Sequence, residues 1–212
     1  MPGRGLFITL EGGEGAGKTT LAATLAAALE RDGREVVLTR EPGGTPNAEA
    51  LRALLVEGET GRWSPMAETL LMFAARLDHV ERLVKPALDR GAVVICDRFT
   101  DSTRAYQGAA GGVEPERIDA VRIAALGDFE PDLTFIVDLD PAVGLGRTRI
   151  RGETETRFER QPSTFHTALR QAFLDIASSA PGRCVVLDGA QPPGAVANAA
   201  QKALSERFGV LA

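Results

Sequence analysis

Cysteine and histidine are scarce in this chain, which has two of each among its 212 residues. Cys96 and Cys184 each lie in an apolar run, and the sequence contains no CxxC pair. A disulfide framework or a Cys/His zinc cluster is therefore not expected, and both cysteines are predicted to be buried free thiols. His79 and His166 are isolated in the sequence, and we interpret both as surface or helix-packing residues rather than ligands.

Long apolar runs and an excess of positive charge are also missing. No stretch approaches the ~20 apolar residues that cross a bilayer, and no secretory signal is recognised. The net charge is −5 and the pI is near 5.2. This balance argues against nucleic-acid binding but leaves small anionic ligands open, because they need only a local cationic pocket. We expect no membrane partner, no nucleic-acid partner and a cytoplasmic location.

Five short runs rich in β-branched residues recur along the chain, at residues 6–10, 35–39, 92–96, 133–138 and 184–188. Their nearly continuous hydrophobicity is typical of strands buried on both faces. Helical patterns separate them, at 17–31, 46–57, 64–90, 114–127, 142–151, 163–179 and 193–207. This alternation predicts an α/β fold, with a five-stranded parallel sheet and helices on both faces.

No repeat, low-complexity tract or linker divides the sequence, so residues 1–212 are predicted to form a single domain. The segment 152–162 is polar with few apolar residues, and we expect a mobile flap there. Ligands of such sheets bind beyond the carboxyl ends of the strands. Those ends read EGGEGAGKTT, TREPGGT, CDRFTDS, DLDP and DGAQP.

The first of these ends carries a phosphate-binding loop, since it fits the pattern G-x-x-x-x-G-K-[ST] between a strand and a helix. The residues of the pattern are Gly12, Gly13, Glu14, Gly15, Ala16, Gly17, Lys18 and Thr19. Glycines let backbone N–H groups surround phosphate oxygens, and the helix N-terminus adds its positive dipole end. Lys18 is expected to reach the β- and γ-phosphates, and the Thr19 hydroxyl is expected to bind Mg²⁺.

This loop indicates nucleotide binding without fixing a reaction, and two classes compete. A phosphotransferase passes a phosphoryl group to a small acceptor, whereas a switch or motor NTPase does not. A GTPase switch is disfavoured, because neither Asn47 nor Asn198 begins an N-K-x-D segment and no D-x-x-G loop occurs. A motor ATPase stays open at this point.

Asp97 and Arg98 end the third predicted strand. Asp97 is placed to order Mg²⁺ or its waters, or to orient the acceptor. Arg98 is suited to hold phosphates, because a guanidinium makes bidentate contacts with them. The alternative is a purely structural Asp–Arg ion pair.

Together, the segments EGGEGAGKTT, TREPGGT, FAAR (73–76), DRF (97–99), STxAYQG (102–108) and LGDFEPDLT (126–134) resemble the bacterial thymidylate kinase family. The resemblance runs from about residue 5 to the last strand. It implies the nucleoside-monophosphate kinase fold with a helical lid at about 147–162, and usually a homodimer. It also implies phosphorylation of dTMP to dTDP with ATP and Mg²⁺. The alternatives are a kinase for another acceptor and a P-loop ATPase that transfers to none.

The resemblance also implies how the base is recognised. Arg76 would contact the thymine ring, and Thr103 and Gln107 would complete its recognition with hydrogen bonds. The family often has a phenylalanine four residues before this arginine, where the chain has Met72, and Phe73 follows it. Either side chain is a candidate for the base contact, since positions three and four apart share a helix face. Gln107 also suits a turn cap before Gly108.

The resemblance also implies which residues contact the sugar and the acceptor phosphate. Tyr106 would pack near C2′ of the sugar, although it also suits core packing as the only tyrosine. Arg52 and Arg98 would hold the acceptor phosphate, unless Arg52 is an exposed helix residue. Glu14 matches an acidic position near the acceptor's 3′-hydroxyl or the metal.

Residues 147–160, RTRIRGETETRFER, concentrate five arginines in this acidic chain. A solvated helix face is the ordinary interpretation of such a run. The variable positions of the phosphate loop contain no basic residue, however, and phosphoryl transfer needs positive charge on the moving group. The resemblance implies a lid that supplies it. Helix geometry predicts that Arg147 or Arg151 faces the nucleotide while Arg149 points away, and we favour Arg151 and Arg157 as the cations that reach the phosphates, with Arg147 at the ATP.

Overall fold

The computed structural model describes residues 4–59, 61–150 and 158–211. Its sheet contains five strands, which are β1 (Phe7–Glu11), β2 (Val36–Arg40), β3 (Val93–Asp97), β4 (Leu133–Asp138) and β5 (Cys184–Asp188). All pairings are parallel and the order is β2-β3-β1-β4-β5. The predicted α/β class and the five parallel strands are therefore confirmed.

Helices connect the strands within the described ranges. They are α1 (Lys18–Arg31), α2 (Pro46–Val56), α3 (Pro65–His79), α4 (Lys85–Asp89), α5 (Thr100–Thr103), α6 (Pro115–Leu126), α7 (Pro141–Ile150), α8 (Ser163–Ser179) and α9 (Pro193–Phe208). π-helical turns follow α3 at Val80–Val84 and α5 at Arg104–Ala109. No helix in the described part of the chain is both long and apolar enough to span a membrane.

Alternate residues of the central strands pack on opposite faces of the sheet. Ile8 and Leu10 of β1 belong to a core cluster formed with α1 and α9. Phe7 belongs to a second cluster with α3 and α4, while Ile136 of β4 belongs to a third with α8. Helices therefore cover both faces, as the sequence predicts.

Two details differ from the sequence prediction. The edge strands β2 and β5 are only partly buried, because each has a hydrogen-bonded neighbour on one side alone. The pattern at 64–90 is divided by a π-helical turn, and the helical stretch from Thr100 to Ala109 is not predicted at all. That stretch contains Ser, Thr and Gly and lacks a clear apolar period, so its stability comes from tertiary contacts.

The phosphate loop (residues 12–17) begins where β1 ends, and Asp97 ends the neighbouring strand β3. The register pairs Leu10 with Asp97, and Arg40 of β2 also pairs with Asp97. Because the strands are parallel, their carboxyl ends lie along one edge of the sheet. The polar residues after β1, β2 and β3 therefore meet at one place.

Candidate active site

The phosphate loop takes its shape from glycines with positive φ. Gly12, Gly15 and Gly17 have φ values of 130°, 67° and 100°. A Cβ on Gly12 would lie 2.4 Å from the carbonyl oxygen of Val137, so the loop packs directly on β4. Only glycine combines this conformation with so close an approach.

Lys18 begins α1 and is buried at the centre of the loop. Its Nζ donates to the carbonyl oxygens of Gly12, at 3.1 Å, and Gly13, at 2.8 Å. Burial, with a contribution from the nearby charge of Arg98, lowers the pKa of Lys18 to about 8. Its ammonium therefore lies inside the curve of the loop, where a phosphate would neutralise it.

Two oxygen ligands suited to a hard cation lie next to this lysine. The Thr19 hydroxyl donates to Asp97 Oδ2 at 3.1 Å. Asp97 Oδ1 is buried and has no hydrogen-bond partner among the described residues. A hydroxyl and a carboxylate at a phosphate loop match the ligands that Mg²⁺ takes in nucleotide sites.

Arg98 follows β3 in a left-handed conformation, with φ of 71°. Its guanidinium donates to the Gly12 carbonyl at 3.1 Å and to Glu14 Oε1 at 3.3 Å, and it lies over the Tyr106 ring at 4.9 Å. It therefore pairs with the phosphate loop, and no ion pair with Asp97 is found within the described chain. Burial alone would lower the pKa of Arg98, but the nearby carboxylate charges of Glu14 and Asp97 raise it above its ordinary value.

Glu14 of the phosphate loop contacts side chains from three other parts of the chain, one of which is Arg98. It accepts a hydrogen bond from the Tyr106 hydroxyl, and its Oε2 lies 3.7 Å from Nδ1 of His166 on α8. Burial would raise its pKa, but the His166 contact and the charge of Arg98 lower the pKa of Glu14 to about 2. His166 is thus a buried residue of α8 that contacts the site, so the surface alternative for it is wrong, whereas packing from a helix agrees with its burial.

An open cavity of about 280 Å³ extends from the phosphate loop toward α3 and Arg104–Ala109. Most of the predicted site residues line it, namely Glu14, Gly15, Lys18, Thr19, Arg52, Arg76, Asp97, Arg98, Thr103, Tyr106 and Gln107. Arg52 donates to the Pro42 carbonyl at 2.7 Å, and burial and nearby Arg40 lower its pKa. We call this space the acceptor cavity. Its two ends differ, with Lys18 and Arg98 at one and Arg76 and Gln107 at the other.

Arg76 is almost fully buried and still borders the acceptor cavity. Its guanidinium donates to Glu41 Oε2 at 2.6 Å, to Thr103 Oγ1 at 3.1 Å and to the Phe99 carbonyl at 2.9 Å. The rings of Phe73 and Phe99 lie 4.7 and 5.2 Å from it. Phe73 belongs to the core behind Arg76 and does not line the cavity, whereas its neighbour Met72 does.

Gln107 and Thr103 lie at the same end as Arg76. Gln107 Nε2 donates to Glu68 Oε1 at 2.5 Å, so its amide is held from α3 rather than capping a turn. Tyr106 and Gln107 both belong to the π-helical turn Arg104–Ala109. π-helical turns occur often at functional sites, and this one turns two consecutive side chains toward the cavity.

A second cavity of about 450 Å³ lies on the other side of the phosphate loop. Gly17, Arg147, Ile150 and Gln191 contribute to its lining. Arg147 Nη1 donates to the Gly189 carbonyl at 3.2 Å, and both residues line this space, which we call the donor cavity. Arg147 therefore borders this cavity and not the acceptor cavity.

The other arginines of the 147–160 cluster are placed as follows. Arg149 lies on α7 and does not line the donor cavity, and Arg160 donates to the Gly58 carbonyl at 2.8 Å. Arg151, Arg157 and most of the predicted flap lie outside the described residues. The described residues on either side are Ile150, which borders the donor cavity, and Phe158, which borders the acceptor cavity.

One buried group has the composition of a metal site. Donor atoms of Glu41, His79 and Cys96 lie within 4.8 Å of one another. Each already has a protein partner, because Glu41 pairs with Arg76 and His79, and the Cys96 thiol donates to the Arg98 carbonyl. Burial raises the pKa of Cys96 well above its ordinary value, which disfavours a metal-binding thiolate. The group is a hydrogen-bond network, and His79 is fully buried rather than a surface residue.

Several polar residues of the site have no role in the sequence prediction. They are Glu11, Glu41, Glu68, His79, Ser102 and His166. Glu41 lies within TREPGGT, which the sequence marks as a strand end, but its partner Arg76 is 35 residues away. No spacing pattern connects positions so far apart.

The fold and its phosphate loop are those of a P-loop phosphotransferase, and one cavity lies on each side of the loop. Comparison with known proteins agrees with this class. Residues 10–200 match the family model described as thymidylate kinase. The chain is 51% identical over 207 residues to a thymidylate kinase of Caulobacter vibrioides, covering 98% of this chain and 99% of the relative.

Two further relatives give the same result. A thymidylate kinase of Pseudomonas entomophila is 51% identical over 195 residues, which are 92% of each chain. The crystal structure of thymidylate kinase from Ehrlichia chaffeensis superposes with a TM-score of 0.79 at 35% identity, covering 96% of this chain and all of that chain. The chain belongs to the thymidylate kinase family. It is a transferase that phosphorylates dTMP to dTDP.

Proposed function

We propose that this enzyme binds ATP in the donor cavity and dTMP in the acceptor cavity, with the phosphate loop between them. The observation that carries this arrangement is the polarity of the acceptor cavity. Lys18 and Arg98 form a cationic end beside the loop, and Arg76, Thr103 and Gln107 form a hydrogen-bonding end. A nucleoside monophosphate has the same polarity, with an anionic phosphate at one end and a base at the other.

In this arrangement a phosphate oxygen of dTMP attacks the γ-phosphorus of ATP. A new P–O bond forms, the bond between the γ-phosphorus and the β-phosphate oxygen breaks, and ADP leaves. Lys18 and Arg98 offset the charge on the transferring group, since most catalysis of this kind is positioning and electrostatic stabilisation. Arg52 and Arg98 hold the acceptor phosphate.

Thr19 and Asp97 would hold Mg²⁺. The fit rests on the buried Asp97 Oδ1, which has no partner among the described residues, and on the Thr19 hydroxyl, because both are hard oxygen donors beside the phosphate loop. When bound, the ion neutralises phosphate charge and orients the leaving group. Glu14 is held by Arg98 and Tyr106 and borders the same cavity, consistent with a role near the acceptor sugar.

The base end is proposed to recognise thymine through Arg76, Thr103 and Gln107. Met72, which borders the cavity, is the better candidate than Phe73 for packing on the base. Phe73 then supports Arg76 from the core side, because its ring stacks on the Arg76 guanidinium. Tyr106 borders the cavity as the residue that would pack near C2′.

Arg151 and Arg157 are proposed to supply the lid cations. Support comes from their neighbours in sequence, since Ile150 borders the donor cavity and Phe158 borders the acceptor cavity. We also propose a homodimer in the cytoplasm. Leu70 on α3 and Ile123 on α6 are more than half exposed, and these two helices pack together.

The experiment that tests the proposal measures ADP formation from ATP–Mg²⁺ with dTMP, dUMP, dGMP, dCMP, AMP or shikimate, and without acceptor. Turnover with dTMP far above the others is expected. Preference for another acceptor would contradict the base roles of Arg76, Thr103 and Gln107. Equal turnover without any acceptor would contradict phosphoryl transfer itself.

A further inference from the structure

The base end of the acceptor cavity depends on a guanidinium that makes few contacts with solvent. Arg76 is 2% exposed, and three of its five N–H groups donate to Glu41, Thr103 and the Phe99 carbonyl. The remaining N–H groups are those available to a ligand in the cavity. Their direction is set by the partners that fix the plane of the guanidinium.

Glu41 is the charged partner among these, and it is itself held from the other side. Its Oε2 accepts from Arg76 Nε, and its Oε1 accepts from His79 Nδ1 at 2.8 Å. Both side chains are almost fully buried. Because a carboxylate only accepts, the Nδ1 atom of His79 carries the proton in this bond.

The contacts of His79 continue to the edge strand. Its Nε2 bonds to Thr39 Oγ1 at 2.8 Å, so both ring nitrogens are used and the ring cannot turn without losing a buried hydrogen bond. A Cβ on Gly44 would lie 2.6 Å from both His79 Nε2 and Thr39 Oγ1. The loop after β2 therefore closes directly over this bond.

His79 does not border the acceptor cavity, although Arg76, three residues earlier on α3, does. We propose that His79 is a positioning residue, which acts through Glu41 to hold the Arg76 guanidinium toward the acceptor base. The inference rests on the proposed contact between Arg76 and the base. Without His79, Glu41 Oε1 would be buried and would lose its hydrogen-bond donor, and Glu41 would no longer be fixed beside Arg76 from its far side.

The test compares variants that keep or remove the Nδ1 donor. His79→Leu removes both ring nitrogens, whereas His79→Asn retains an N–H group near the position of Nδ1. We expect His79→Leu to raise KM for dTMP roughly tenfold or more, because the variant loses one buried hydrogen bond to the charged Glu41. KM for ATP should stay within about twofold of the parent value. His79→Asn is expected to recover most of that loss.

Thr39 offers a milder variant for the case that His79→Leu does not fold. Thr39→Val is expected to raise KM for dTMP about threefold. Its matched control is Thr69→Val, since the Thr69 hydroxyl also makes a partly buried hydrogen bond but donates to the Pro65 carbonyl within its own helix α3. The control is expected to leave both KM values unchanged.

Three outcomes would overturn the inference. They are an unchanged KM for dTMP in His79→Leu, an equal rise in KM for ATP and dTMP, and an Asn variant no better than the Leu variant. Arg76→Lys separates this failure from that of the proposed base contact. If Arg76→Lys leaves KM for dTMP unchanged, the base contact itself is wrong. If Arg76→Lys raises KM for dTMP, the double variant with His79→Leu should have a KM for dTMP little higher than that of Arg76→Lys alone.

Discussion

Gly144 of α7 lies against the carbonyl oxygen of Glu14, so that a Cβ at Gly144 would approach this oxygen to 2.2 Å. The contact is mutual, because a Cβ on Gly15 would lie 2.0 Å from the Gly144 carbonyl oxygen. The helix that leads into the arginine cluster is thus packed backbone to backbone on the phosphate loop. A movement of α7 is therefore transmitted to the loop directly, without an intervening side chain.

We expect Gly144→Ala to disturb the loop, since either α7 or Glu14 must move to admit a methyl group. Overpacking of this kind costs about 1–3 kcal/mol in free energy of unfolding. Turnover with saturating dTMP should fall in parallel, which steady-state kinetics and denaturant unfolding would measure.

Gly146→Ala is the matched control for this prediction. Gly146 is on the same helix, and a Cβ there meets no atom within 4 Å. Alanine favours helix over glycine by about 1 kcal/mol, so this variant should be as stable as the parent or more stable. Equal losses in both variants would show that helix α7 tolerates neither change, and the specific contact with Glu14 would not be the cause.

The sequence predicts those parts of the site that are local in the chain. The phosphate loop, Lys18 and Thr19 lie within one turn and its helix, so eight consecutive residues specify the arrangement. Strand positions follow from apolar runs, because buried parallel strands need hydrophobic residues on both faces. The edge strands depart from this rule, since their outer sides meet fewer neighbours.

Contacts between distant positions could not be predicted in this way. Arg98 meets Glu14 across 84 residues, and Arg183 meets Asp101 across 82. The helical stretch from Thr100 to Ala109 is stabilised by such contacts, because Glu11 of β1 accepts from the backbone N–H groups of Phe99 and Ser102 at its beginning. A carboxyl group from another strand thus satisfies the orphan donors that a local capping residue usually satisfies.

The choice between Met72 and Phe73 shows a different limit. The two neighbours differ by about 100° around the helix axis, and both are apolar. Only the packing of α3 decides that Phe73 turns into the core and Met72 toward the cavity.

Removal of the Arg147 side chain is expected to weaken ATP binding selectively. Arg147→Ala should raise KM for ATP about 3- to 10-fold, the worth of one cation–π contact with a nucleotide base, and leave KM for dTMP unchanged. Arg149→Ala is the control on the same helix, because Arg149 does not line the donor cavity. An unchanged KM for ATP in the Arg147 variant would contradict its placement at the nucleotide.

The proposed cation site predicts a shift in Mg²⁺ requirement. Thr19→Val and Asp97→Asn should each raise the Mg²⁺ concentration for half-maximal rate about tenfold or more, because each removes an oxygen ligand or its support. Thr24→Val is the control on α1, since the Thr24 hydroxyl donates to the Thr20 carbonyl within the helix. Mg²⁺ titrations at saturating ATP and dTMP would measure the effect. Identical titration curves for all three variants and the parent would remove these residues from the site.

Glu11 gives the enzyme a pH-dependent stability. It is fully buried, and burial together with the nearby charge of Asp101 raises its pKa from 4.5 to about 7. Between these two pH values the folded protein retains a proton that the unfolded chain has lost. The free energy of unfolding contributed by Glu11 is therefore highest below pH 4.5 and decreases as the pH rises to 7.

Glu11→Gln removes this titration while keeping an oxygen that can accept from Phe99 and Ser102. We expect the parent to lose stability relative to Glu11→Gln as the pH rises from 5 to 7, by roughly 1–3 kcal/mol in total, since one unit of pKa shift corresponds to about 1.4 kcal/mol. Above pH 7 the difference should become constant. Urea unfolding at intervals of half a pH unit would measure both curves, and groups common to the two proteins cancel in their difference. Parallel curves across this range would mean that Glu11 is ionised in the folded protein at all these pH values, and that its three hydrogen bonds outweigh burial.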